Sequence, residues 1–184
     1  MKFTEYLECT RHSLHESNSS STKVQPRNLG ELRQIITDTV KEKGLDCDLN
    51  FIDTSKITDM ALLFNAQKLQ GFNGDISKWD VSNVKSMECM FMNSYFNGDI
   101  SNWDVSKVET MESMFAESKF NGDISKWDVS NVWDMDYMFA NSKFNQDISK
   151  WDVSSVENMT DVFEKCPIKE EYKPKFNKNY GGWA

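Results

Sequence analysis

The stretch Phe72-Asn73-Gly74-Asp75-Ile76-Ser77-Lys78-Trp79-Asp80-Val81-Ser82 decides the architecture of this chain, because it returns nearly unchanged at 96–106, 120–130 and 144–154. Trp79, Trp103, Trp127 and Trp151 follow one another at 24-residue intervals. Each copy continues with a Val, a Met and a Met-Phe pair, as in Val84, Met87, Met90 and Phe91; the last copy carries Val162 in place of the second Met. A divergent earlier copy runs from Asp48 to Met60 and ends at Leu63-Phe64, offset by 27 residues, so three residues are inserted between Asn65 and Gly71. Such a period marks a repeat array, in which one unit cannot bury its apolar side alone and a stack of neighbours can.

Within a unit the apolar period changes. Trp79-Asp80-Val81-Ser82 alternates apolar and polar residues, which reads as a short strand with Trp and Val inward. Val84, Met87, Met90 and Phe91 fall at i, i+3, i+6 and i+7, one face of a short helix. Asn73-Gly74 reads as a turn, because Gly tolerates positive φ. Strands stack about 4.8 Å apart and helices about 8–10 Å apart, so the stack is expected to curve with its helices outward. The fold class expected is therefore α/β: a leucine-rich-repeat-like solenoid of short strands and short helices, with an N-terminal capping helix.

Open stacks need caps. Leu29, Leu32, Ile35, Ile36 and Val40 form one helical stripe, with Asn28 as N-cap, Glu31 at N3 and Gly44 as the stop. The domain reading is 1–27 as an N-terminal segment and polar linker, with a short helix over 3–16. Residues 28–47 are the capping helix, 48–166 the repeat solenoid (one divergent and four 24-residue units) and 167–184 a C-terminal cap or tail.

Composition bounds the partners. The 184 residues carry a formal net charge of −8, with 39% hydrophobic residues and a pI near 4.8. This balance argues against a phosphate backbone or an anionic membrane surface as direct ligand, and favours a basic partner. The chain is read as an acidic protein with no membrane insertion. Cys9, Cys47, Cys89 and Cys166 show no C-x-x-C spacing and read as free thiols; His12 and His15 lie outside the repeats. No signal peptide is seen, so the chain is expected in the cytoplasm, with a cell-surface or secreted location as the alternative.

The phrases Phe-Asn-Gly-Asp-Ile-Ser-Lys-Trp-Asp-Val-Ser-Asn-Val and Met-x-x-Met-Phe resemble the BspA-like leucine-rich repeat family, also described as the mycoplasma-type lipoprotein repeat. The resemblance covers about 48 to 166, and the flanks Leu29 to Gly44 and Cys166 to Lys175 are similar to that family's leading helix and tail. It implies a bacterial surface or secreted protein engaged in protein–protein interaction or adhesion. This chain departs from the family in showing no lipoprotein signal or sorting tail.

Three sets of residues are candidate sites. Asp75, Asp99, Asp123 and Asp147 form one column, and Asp80, Asp104, Asp128 and Asp152 another. Both are expected to accept turn hydrogen bonds or cap the helix that follows; calcium is the alternative, disfavoured because calcium loops cluster more oxygen ligands. The Trp column is in phase with inward Val and reads as core rather than a sugar or base platform. The third set comes from where the copies disagree. One column reads Lys85, Glu109, Trp133, Glu157, another Cys89, Ser113, Tyr137, Asp161, and a third Met92, Ala116, Ala140, Glu164. Trp133 and Tyr137 are i and i+4 and are expected on one outer helical face, with Met92, Tyr95 and Glu109 brought close by neighbouring columns. These five residues are the expected partner-binding patch.

No nucleophile–base set, phosphate loop or metal motif is present, so no catalytic residue, no metal and no cofactor is expected. The expected function is non-enzymatic: a protein–protein interaction module that binds or inhibits an intracellular macromolecule. A surface or secreted adhesin and a calcium-stabilised structural solenoid are the alternatives. The partner's identity and the oligomeric state are left open.

Overall fold

The computed structural model describes residues 23–65 and 67–176. The expected helix over 3–16, most of the linker, Cys9, both histidines and the last part of the tail lie outside the described residues. Among the described residues there is one α-helix, α1 (Leu29–Lys43), and one short 3-10 turn of helix at Glu170–Tyr172. Asn28 is extended, and its side-chain oxygen accepts from the Glu31 N–H at 3.0 Å. Gly44 closes the helix at φ 92, its N–H donating to the Val40 carbonyl at 2.9 Å. Leu32, Ile35 and Ile36 are buried, so the stripe covers the first turn of the stack. Arg33 completes that cover: Nη2 donates to the carbonyls of Ala61 (3.0 Å) and Leu62 (3.4 Å). At Ala61 its guanidinium takes the place of a preceding unit's N–H, as the Leu62 N–H fills the Glu88 carbonyl one unit on.

The units themselves contradict the expected α/β solenoid of strands and helices. Among the described residues there is no sheet, only isolated parallel bridges, and no helix inside a repeat. Each unit is a series of turns. In the first full unit, the Met90 N–H donates to Met87 (3.1 Å), Met92 to Cys89 (3.2 Å) and Ser94 to Phe91 (3.2 Å). The intervening N–H groups leave the unit sideways: Met87 donates to Thr110 (3.1 Å), Cys89 to Glu112 (2.9 Å), Phe91 to Met114 (2.9 Å) and Asn93 to Ala116 (2.8 Å). A helix is excluded because Cys89, Ser113, Tyr137 and Asp161 sit at φ between 48 and 56, in the left-handed region.

Ring spacing gives the physical reason. Phe91, Phe115, Phe139 and Phe163 stack at 5.7, 5.7 and 5.8 Å between centroids. Helices need roughly 8–10 Å, so they cannot follow one another at the separation these rings adopt. Laterally bonded turns can. The Trp side is no closer: Trp79 and Trp103 lie 6.4 Å apart, and Phe96 and Phe120 6.3 Å. The difference in spacing that was expected to curve the stack outward on the Met-Phe side is therefore absent.

The recurring phrase builds the other half of each unit, again from turns. Asp75, Asp99, Asp123 and Asp147 each accept the N–H two residues on, at 2.9 Å. Trp79, Trp103, Trp127 and Trp151 are buried, and each indole N–H donates to a carbonyl of the preceding unit: Leu49, Ile76, Ile100 and Ile124. Asn73, Asn97 and Asn121 form a ladder, each side-chain oxygen accepting the N–H of the next member at 2.7–2.8 Å; Asn145 extends it to the Lys169 N–H at 3.1 Å. Gly74 is needed for space and not for φ, since a Cβ there would lie 2.0 Å from the Cys47 carbonyl oxygen. At the far end Ile168 is buried, the Ile148 N–H donates to the Tyr172 carbonyl at 3.0 Å, and Phe176 leans on Phe163 at 6.4 Å.

Candidate functional site

The face that carries the disagreeing positions is built by the lateral bonds. The Glu109 N–H donates to the Lys85 carbonyl (2.8 Å), Trp133 to Glu109 (3.0 Å) and Glu157 to Trp133 (2.9 Å). These side chains therefore stand next to one another along the stack. Lys85 Nζ lies 2.8 Å from Glu109 Oε1, and that hydrogen bond, then the charge of Glu109, holds the Lys85 ammonium above its usual range. Trp133 lies between Glu109 and Glu157 and is 43% exposed.

The next column, Asp59, Ser86, Thr110, Asp134 and Asn158, forms the bridges. Its oxygens turn the chain: those of Asp59 and Asp134 accept the N–H two residues on at 2.8 and 3.0 Å, and Thr110 Oγ1 does so at 3.3 Å. This places Glu88, Glu112 and Asp136 in one half-buried row. Burial first, then Asp134, Glu88 and Asp136, push the Glu112 carboxyl above the usual carboxylate range. Burial, followed by Glu88 and Glu112, likewise raises the Cys89 thiol.

Tyr137 comes next, 39% exposed, with φ 56 and its N–H donating to Thr160 at 2.8 Å. The i, i+4 helical relation expected between Trp133 and Tyr137 does not exist, because 136–141 are turns. The two rings instead stand in one unit on separate columns, with those of Asp134 and Asp136 between them in the chain. Glu109 is brought to Trp133. Met92 and Tyr95 are not: both belong to the first full unit, two units away along a stack whose adjacent Phe91 and Phe115 rings lie 5.7 Å apart. Met92 is half-buried and Tyr95 is 57% exposed, its N–H bonded to Gln70 at 2.9 Å. Leu62 lies outside the expected patch. It shares the Tyr137 column, at φ 57, and is 45% exposed. Aligning the divergent unit at its 27-residue offset places Leu62 opposite Cys89 and would have revealed it.

The two repeating candidates are occupied internally. The Asp80, Asp104 and Asp128 carboxylates each accept from both the N–H and the hydroxyl of the Ser two residues on; Asp152 accepts the Ser154 N–H. Asp75, Asp99, Asp123 and Asp147 are held below the usual carboxylate range, first by the backbone N–H of the following Ser. Among the described residues no three His, Cys, Asp or Glu side chains gather as a metal site, and no helix is long and apolar enough to cross a membrane. Cys47, Cys89 and Cys166 are free.

Stacked 24-residue turns with a variable face define a repeat protein. Residues 33–119 and 116–184 match the family described as "Mycoplasma protein of unknown function, DUF285", and the chain belongs to it. No curated protein and no solved structure matches the chain.

Proposed function

We propose that this chain is a non-catalytic protein-binding module whose partner docks on the face carrying Trp133, Tyr137 and Glu109. The observation behind this reading is the exposure of Trp133 and Tyr137 at positions where other units carry Lys, Glu, Cys, Ser or Asp. The stack does not require these rings, and large aromatics on a polar face are the commonest binding anchors. The resemblance of the repeat phrase to BspA-like interaction proteins supports the same reading. In that account the Trp, Phe and Asn columns are scaffold, and specificity resides where the copies differ. The test is affinity capture from the native host with wild type and a Trp133→Ala/Tyr137→Ala variant of unchanged melting midpoint. Loss of two anchors is expected to weaken capture by at least about tenfold, a modest fraction of what two hot-spot residues contribute. Equal capture by both proteins refutes the assignment.

A further inference from the structure

The aromatic face has a charge pattern that identifies what kind of chain fits it. Glu88, Glu112 and Asp136 occupy successive units, fixed in register by the Cys89 N–H donating to Glu112 (2.9 Å) and the Ser113 N–H to Asp136 (2.8 Å). Among the described residues none of the three forms an ion pair. Lys85, the cation of the adjoining column, is already held by Glu109. Three carboxylates thus lie in a half-buried row without an ion-pair partner among the described residues, and its third-unit member, Asp136, stands in the chain between the exposed Trp133 and Tyr137. Their repulsion is felt within the row, since Glu88 and Asp136 both raise the Glu112 carboxyl.

Resting on the interaction reading above, we infer that this face docks an extended, lysine- or arginine-rich segment of a partner protein, running along the stack axis. The row supplies charge complementarity, and Trp133 and Tyr137 supply ring faces for cationic side chains. Spacing agrees. An extended peptide presents alternate side chains about every 6.8 Å, against 5.7 Å between the Phe91 and Phe115 rings of adjacent units. Flexible lysine stems absorb a mismatch of that size over three units. A nucleic acid is repelled by the same row. A single metal ion is not held by it, since no three such ligands converge among the described residues.

The experiment uses the full chain and a fluorescein-labelled peptide of alternating Lys and Ser, with an alternating Glu–Ser peptide as control. Wild type is expected to bind the Lys–Ser peptide with an affinity that falls as salt rises, and to ignore the Glu–Ser peptide. The Glu88→Gln/Glu112→Gln/Asp136→Asn variant is expected to bind roughly tenfold more weakly, as is Trp133→Ala/Tyr137→Ala. Asp136→Asn retains the oxygen that accepts the Thr160 N–H, and wild-type salt dependence provides a second readout if the triple variant unfolds. Glu170→Gln/Glu171→Gln, at the far end, is expected to bind as wild type. Salt-insensitive binding, no binding, or equal weakening by the Glu170/Glu171 variant overturns the inference. If the Lys–Ser peptide fails while Trp133→Ala/Tyr137→Ala still loses the cellular partner, the interaction reading stands and only the basic partner is refuted.

Discussion

Emptying the Trp127 site is expected to cost far more than emptying the Trp133 site, although the two residues are chemically identical and six positions apart. Trp127 is 4% exposed, lies 6.4 Å from the Phe115 ring, and donates its indole N–H to the Ile100 carbonyl at 3.1 Å. Truncating a buried ring of this size to Ala costs about 3–5 kcal/mol, combining lost transfer energy with the cavity left behind. The hydrogen bond adds about 0.5–1.5 kcal/mol at most, because the Ile100 carbonyl keeps its turn bond from the Trp103 N–H at 3.2 Å. With a urea slope of about 2.5 kcal/mol/M, a loss of about 4 kcal/mol lowers the unfolding midpoint by about 1.6 M. Trp127→Phe retains a ring and removes the indole N–H, so a shift of about 0.2–0.6 M is expected. Trp133→Ala, at a site 43% exposed, is expected to move the midpoint by less than about 0.4 M. Matching urea curves, followed by far-ultraviolet circular dichroism, provide the comparison. Equal shifts for Trp127→Ala and Trp133→Ala refute the division of the tryptophans into scaffold and surface.

The left-handed column makes a further prediction. Asn93, Glu117, Asn141 and Lys165 all lie at φ 50–58, where Asn is far better tolerated than Glu. Glu117→Asn is therefore expected to stabilise by about 0.5–1 kcal/mol, and an unchanged or lower melting midpoint contradicts the turn geometry. Stability should also fall in acid. The carboxyls of Asp75, Asp99, Asp104, Asp123, Asp147 and Asp152 are all lowered by bonds to the following Ser. Their contribution is full above the unfolded value of about 3.9 and is lost as pH drops through the lower folded values. Glu112 acts with the opposite sign: its raised carboxyl opposes folding once ionised, so Glu112→Gln is expected to raise the neutral-pH midpoint and to leave the midpoint below pH of about 4 unchanged. A melting series across pH checks both.

The 24-residue period, the buried Trp column and helix α1 were legible because each leaves a strong pattern in the side chains. The conformation inside a unit was not. Val84, Met87, Met90 and Phe91 have helical spacing, yet the same spacing serves a chain of turns whose alternate N–H groups bond to the next unit. What decides between them is the 5.7 Å stacking of Phe91 on Phe115, a long-range quantity with no local signature. Asn93 and Asn141 were the local hint, being residues suited to left-handed backbone; Cys89, Ser113 and Tyr137 concealed it. The same helical spacing gave Trp133 and Tyr137 an i, i+4 relation that the turns at 136–141 do not have. Comparing the copies located Trp133, Tyr137 and Glu109 as variable positions, but Met92 and Tyr95 lie two units off, and Leu62 escaped notice behind the three-residue insertion.

The central claim is that function lies where the copies differ, and the second full unit supplies its own test. Trp133→Glu/Tyr137→Ser gives the third unit the residues that Glu109 and Ser113 already place at those positions. The measurement is partner capture beside the melting midpoint of the same preparation. The account predicts a midpoint within about 2 °C of wild type, as for substitutions at exposed sites, together with capture reduced at least about tenfold. Undiminished capture at an unchanged midpoint would contradict it.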